Sequence, residues 1–285
     1  MPESLHIPAS DGFKLAASLF EPEGPARGIV LVNSATAVPR RFYQQFARHI
    51  AGAGWRVLTY DYRGIGDSRP ASLRGFEATM RQWGLLDMQG VLDWASAQAG
   101  EGPIFMVGHS VGGQMAGALE RTERVSGLVT MSAQSGYWGF QGGAQKVVVG
   151  FNMFVVFPVL SRLMGYFPWS RFASGEDLPR GVALEWAAWC RNPRYFFGDP
   201  TFEEHSRFPS FTAPVLAYSF SDDDWGTRPS VDFLMKHYTG ATLERRHVAP
   251  VDLGVKRIGH TGVFRTHCRP LWDDVLAWFN AQSSS

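Results

Sequence analysis

The 285-residue chain has only two cysteines, Cys190 and Cys268. Two isolated thiols cannot build a CxxC metal site, and reduced thiols are expected rather than a disulfide framework. A chain this long buries a sizeable core without a metal or disulfide staple. Charge of one sign is also missing: 27 Lys and Arg stand against 26 Asp and Glu. A dedicated nucleic-acid binder usually carries a basic excess or stripe, so that class is set aside. There is no uninterrupted apolar run of the roughly 20 residues that a bilayer span needs. The longest, Val147 to Leu160, is broken by Gly150, Asn152 and Pro158, so no stable membrane insertion is expected. The opening MPESLHIPASDGF has neither a basic start nor an apolar centre, which does not read as a signal peptide and leaves a cytoplasmic protein as the expectation. Internal repeats and low-complexity linkers are absent too. Charged residues at 19% and aromatics at 14% exclude a disordered chain.

What is present is an alternation of short β-rich runs with helix-like segments, the pattern of a mostly parallel sheet covered by helices on both faces. Strands are predicted at 13–20, 28–32, 55–62, 103–108, 127–133, 213–220 and 242–249. Helices are predicted at 41–52, 81–99 and 270–281, the last with Pro270 in its first turn. The rhythm breaks over 134–211, where no strand–helix alternation is seen. This segment holds 18 of the chain's 39 aromatic residues. It reads as a mainly helical cap inserted into a core made of 1–133 and 212–285. Most of its aromatics pack the cap onto the core, and the remainder are candidates to line an apolar pocket.

The strongest local signal is Gly108-His109-Ser110-Val111-Gly112, a G-x-S-x-G string. The string alone is weak in a Gly- and Ser-rich chain. Its context is specific: it follows the apolar run PIFMVG and precedes the helix former QMAGALERT. A strand–serine–helix turn forces the serine to positive φ, leaves no room for side chains at 108 and 112, and raises the hydroxyl clear of the sheet. It also aims the Val111 N–H, at a helix start, to where an oxyanion forms. The bland alternative is a serine that caps a helix after a Gly-rich turn.

A nucleophilic serine needs a base and an orienting acid from later loops, in the order Ser, acid, His. The strand at 213–220 is followed by Ser221-Asp222-Asp223-Asp224, and the next by Ile258-Gly259-His260-Thr261-Gly262. Three adjacent aspartates leave the acid ambiguous; only one is expected to point inward. His260, between two glycines, is the expected base, with His267 as its rival. His247 reads as structural, and His6, His49, His205 and His237 as surface residues. His109 is expected to pack sideways. The second oxyanion donor should come from the loop Asn33-Ser34-Ala35-Thr36-Ala37; Ala35 is chosen, with Ser34 and Thr36 as replacements.

With GHSVGG at 108–113, DYRGIGDS at 61–68, the SDDD loop at 221–224 and GHTG at 259–262 in this order, the sequence resembles the α/β-hydrolase superfamily. The narrower likeness is to a bacterial branch in which NSAT stands in place of His-Gly and IGHTGVFR carries the histidine. The resemblance implies Ser110 as nucleophile and His260 as base. It places the acid three residues after a strand-end glycine; Phe220 holds that place here, so Asp223 falls on the acid, with Asp222 and Asp224 open. In DYRGIGDS, turn chemistry is favoured over a direct role at the site. The expected activity is hydrolysis of a carboxylic ester or thioester with an apolar part, without metal or cofactor, on a small-molecule substrate. Acyl transfer on the same triad and non-catalytic ligand binding are the alternatives.

Overall fold

The structure, a computed structural model, describes residues 2–283. An eight-stranded sheet forms its centre. In chain order its strands are β1 (Glu3–Pro8), β2 (Lys14–Phe20), β3 (Ile29–Asn33), β4 (Arg56–Tyr60), β5 (Ile104–His109) and β6 (Val125–Met131). A two-stranded ribbon, β7 (Tyr166–Phe167) and β8 (Leu178–Pro179), lies apart from it. The sheet is completed by β9 (Val215–Phe220) and β10 (Leu243–Val248), in the order β1-β2-β4-β3-β5-β6-β9-β10. β1 and β2 run antiparallel to their neighbours; every later pairing is parallel.

The composition of the strands explains the layering. All five residues of β3 and all six of β5 and of β9 are buried. Strands of a parallel sheet covered on both faces read as unbroken apolar runs, not as alternation. One face carries helix α2 (residues 80–99), with Met88, Val91, Leu92 and Ala95 in its core. The other carries α1 (Gln44–Gly52) and the C-terminal α7 (Arg269–Ser283), where Phe46, Trp55, Phe105, Trp272 and Phe279 interlock edge to face. The elbow helix α3 (Val111–Gln114) follows β5 directly. After β6 the chain leaves the sheet and returns only at β9. Between them run α4 (Gly143–Met164), the β7–β8 ribbon and α5 (Arg180–Arg191); α6 (Arg228–Met235) follows β9.

Parallel register places the carboxyl ends of four strands side by side. Asn33 pairs with Gly108, His109 with Met131, and Met131 with Tyr218. In open α/β sheets this end is where ligands bind.

Two expectations need correction. The first strand, Glu3–Pro8, is absent from the sequence reading; it is a half-exposed edge strand with one fully buried residue, Ile7, so its pattern is faint. The apolar stretch at 147–160 is not interrupted. It forms part of one helix of 22 residues, because a π turn at Asn152–Val156 absorbs the break before Pro158. The loop 61–68 is built by turn chemistry and ion pairs. Buried Asp61 accepts from Arg40 and from the Asp67 N–H, and Arg63 bridges Asp87 and Asp11.

Candidate active site

Ser110 stands between β5 and α3 at φ 50° and ψ −117°, a left-handed conformation that costs a non-glycine residue on the order of 1–3 kcal/mol. The turn is held because its neighbours leave no alternative. The Ser110 N–H donates to the Met131 carbonyl at 3.0 Å, and the Ser110 carbonyl accepts from Gly113 and Gln114. A Cβ at position 108 would lie 2.4 Å from Gly113 Cα, and one at 112 would lie 2.2 Å from the Asn33 carbonyl oxygen. The two flanking glycines are therefore a steric requirement of the elbow, and Val111 opens the helix beyond it.

The aspartate loop separates its three members by environment. Asp223 is buried. Its Oδ1 accepts from the Trp225 and Gly226 N–H groups at 2.8 and 2.9 Å, and its Oδ2 from His260 Nδ1 at 2.9 Å. Burial alone would raise its pKa, but the attraction of His260, the hydrogen bond from His260 and that from the Gly226 N–H outweigh it and hold the carboxyl well below the usual range. Asp222 binds the histidine loop instead, accepting from the Ile258 and Gly259 N–H groups at 2.9 and 3.0 Å. Asp224 is exposed. Because Nδ1–H of His260 donates to Asp223, the Nε2 lone pair is left for a proton. His267 is turned away, its Nε2 on the Arg257 carbonyl at 3.1 Å, and His247 bonds Ser219 within the sheet.

Ser110 and His260 line one pocket of about 180 Å³. Trp169, Trp186 and Trp225 form its apolar wall, with Ala35, Thr36, Val38 and Gln134 on other sides. Among the described residues no hydrogen bond joins Ser110 Oγ to His260; such bonds are often long without substrate and tighten when it binds.

The expectation for Ala35 requires a correction. The Ala35 N–H is already committed: it donates to Tyr43 Oη at 2.8 Å. Of the replacements, Thr36 lines the pocket beside Ser110. Tyr43 was invisible to sequence reasoning, since RRFYQQF carries no motif and its partners lie far along the chain. Its hydroxyl also meets His109 Nδ1 at 2.8 Å, and His109 Nε2 meets the His260 carbonyl at 2.8 Å. Donor chemistry fixes the direction of this string. An amide N–H can only donate and a carbonyl only accept, so His109 carries its proton on Nε2, and Tyr43 donates to Nδ1. Burial, helped by the nearby His260 charge, lowers the His109 pKa to about 3, which keeps the ring neutral.

That shift has a consequence for stability. An unfolded histidine binds a proton below its normal pKa, while His109 in the fold does so only near pH 3. Stability contributed by this residue is therefore present above about pH 6.5 and lost as pH falls, by up to about 1.4 kcal/mol per pH unit. His109→Gln is expected to flatten the fall in unfolding free energy between about pH 6 and pH 4 by that order. Denaturant titrations at stepped pH measure it; an unchanged slope would contradict the burial argument.

Comparison with known proteins agrees with this geometry at the level of fold and family. The fold is similar to a soluble variant of monoglyceride lipase from Saccharomyces cerevisiae in complex with a substrate analog (TM-score 0.71, 15% identity, 100% of this chain and 96% of that one). It is similar also to an esterase from Exiguobacterium antarcticum (TM-score 0.60, 14% identity, 97% and 99% covered). A third similar structure is a putative non-heme bromoperoxidase, BpoC, from Mycobacterium tuberculosis H37Rv (TM-score 0.61, 18% identity, 94% and 96% covered). At these identities the likeness concerns the fold. A 73-residue stretch, 25% of this chain, is 37% identical to lysophosphatidylserine lipase ABHD12 from Gallus gallus, of which it spans 17%. The family profile described as serine aminopeptidase, S33, matches residues 24–177, which include the Ser110 elbow but neither the aspartate nor the histidine loop. That match extends over more than half of the sequence: the chain belongs to the serine aminopeptidase S33 family of the α/β-hydrolases.

Proposed function

We propose that the chain is a serine hydrolase that cleaves carboxylic esters or thioesters carrying an apolar acyl or alcohol part. The observation that carries this reading is one pocket in which a serine on a left-handed elbow faces the histidine whose far nitrogen is held by a buried carboxylate. In the proposed sequence, His260 Nε2 takes the Ser110 proton as Oγ attacks the acyl carbon. Asp223 fixes the ring tautomer and stabilises the imidazolium. The Val111 N–H binds the oxyanion, with Thr36 N–H as the second donor. The imidazolium then protonates the leaving alcohol or thiol, and water, activated by His260, cleaves the acyl-enzyme. The indole wall supports an apolar substrate, and the esterase and lipase names of the similar proteins support the ester class. Residues 134–211, which supply Trp169 and Trp186, act as a cap over a core of 1–133 and 212–285.

The direct test is covalent. A fluorophosphonate is expected to label Ser110 alone, located by peptide mass spectrometry. Labelling elsewhere, or none, would overturn the proposal and favour ligand binding without turnover.

The Tyr43 string is proposed to position this machinery from below, tying the loop after β3 to the backbone of His260. Tyr43→Phe removes the shared hydroxyl and strands two buried groups, Ala35 N–H and His109 Nδ1. It is expected to cost about 2–4 kcal/mol of stability. It should also lower kcat about tenfold with little change in KM, since a misplaced base weakens the chemical step more than binding. Thermal unfolding and steady-state kinetics check both parts; normal kcat in a destabilised protein would reduce Tyr43 to a packing residue.

A further inference from the structure

The helix α4 wears its apolar face outward. Val147, Val148, Phe151, Phe154, Val155, Val159 and Leu163 are all exposed, Leu163 by 76% and Val147 by 72%. They recur every three to four residues, which is one side of a helix. The opposite stripe, Val149, Met153, Phe157 and Ser161, is buried. An ordinary surface helix is apolar only on its buried side and polar on the other, whereas this one is apolar on both. Phe172, also exposed, stacks on Phe167 near the same end. A contiguous apolar face of this kind on a soluble domain marks an interaction surface.

Charge identifies what fits it. Residues 138–172 contain three basic side chains, Lys146, Arg162 and Arg171, and no aspartate or glutamate. Arg162 and Arg171 are exposed, and Lys146 sits over the ring of Trp138. A second copy docked face to face would set this cationic surface against itself. An anionic lipid surface offers both what the aliphatic face needs and what the cations need. We infer that α4 is a docking face for anionic membranes, on which it lies in the plane of the interface.

The helix is long and apolar enough to cross a bilayer by length and composition. Its packing nevertheless keeps it on the body of the protein. Phe157 stacks on Phe167 at 3.8 Å and meets Trp186 of α5 edge to face at 5.4 Å, and Arg191 donates to the Met153 carbonyl at 2.9 Å. Phe157 also touches Trp169, which lines the pocket of Ser110. Docking through α4 therefore brings the lipid surface to within one aromatic layer of that pocket. An apolar substrate dissolved in the bilayer then has a short path to it.

Co-sedimentation of the full chain with vesicles tests the inference independently of catalysis. The probes are phosphatidylcholine vesicles and vesicles of about 3:1 phosphatidylcholine to phosphatidylglycerol. Binding is expected to the mixed vesicles, to weaken as salt rises, and to be far weaker to phosphatidylcholine alone. The double variant Phe151→Ser/Leu163→Ser should lower the affinity by on the order of a hundredfold, and Lys146→Gln/Arg162→Gln by on the order of tenfold. Both alter exposed or half-exposed side chains outside the pocket, so their hydrolysis of a water-soluble ester should match wild type. Absence of binding to the mixed vesicles, or binding that both variants retain, would overturn the inference. A wild-type dimer on light scattering that Phe151→Ser/Leu163→Ser converts to monomer, without vesicle binding, would overturn it in favour of a second copy as the occupant. Loss of hydrolysis in wild type with vesicle binding intact would refute the proposed activity and leave the docking face standing.

Discussion

Ser110→Ala is expected to lower kcat for short-chain p-nitrophenyl esters by at least about a thousandfold, while the fold and its melting temperature stay near wild type. The magnitude follows from what remains. Without Oγ there is no acyl-enzyme, and His260 with the oxyanion donors is left to act on water alone. Removing the nucleophile of comparable triads costs up to about 10⁶ in kcat, with a residual of about 10³–10⁴ over water from the donors and binding. Stability is little affected because the strain at 110 belongs to the backbone: alanine adopts the same φ of 50° with much the same penalty. Steady-state assays and circular dichroism on the same preparation separate the two effects. Retained wild-type turnover would remove Ser110 from the chemistry altogether.

Asp223→Asn is expected to cost about 10⁴ in kcat, and Asp222→Asn far less. The two carboxylates are adjacent in sequence but hold different things. Asp223 accepts the Nδ1 proton of His260, so an asparagine that turns its NH₂ to the ring forces the proton to Nε2 and removes the base. The Trp225 and Gly226 N–H groups on Oδ1 favour that outcome, since they demand the acceptor oxygen for themselves. Asp222 grips the Ile258 and Gly259 N–H groups; asparagine keeps one acceptor and loosens the loop without changing the tautomer. Equal losses in the two variants would show that loop rigidity, not the tautomer of His260, controls the rate.

Much of this is legible in the amino-acid sequence. Buried parallel strands announce themselves as apolar runs, so β3, β5 and β9 were readable, and their order gave the fold. The elbow was readable because only glycine fits at 108 and 112. Two kinds of feature were not. Half-buried edges such as Glu3–Pro8 carry too little pattern. Contacts that depend on which side chains meet across the sheet leave no trace in spacing: Tyr43 and His109 lie 66 residues apart, and nothing in either neighbourhood calls for the other. The choice of Ala35 failed for this reason. Its N–H donates instead to a tyrosine from the following helical segment. Among the three aspartates, Asp223 is the buried one whose carboxylate meets His260, and that contact is what the proposal of Asp223 as the acid rests on.

The one-way string from Ala35 to His260 links two segments that are distant in sequence to a single buried tyrosine. A backbone amide in a connecting loop ordinarily trades its hydrogen with solvent through small local openings. Ala35 is buried, and the oxygen that its N–H reaches is itself held by His109, whose ring is held in turn by the His260 carbonyl. Exchange at this amide is therefore expected to be slower than that of a solvated loop amide, because its acceptor is anchored in the core on both sides of β5.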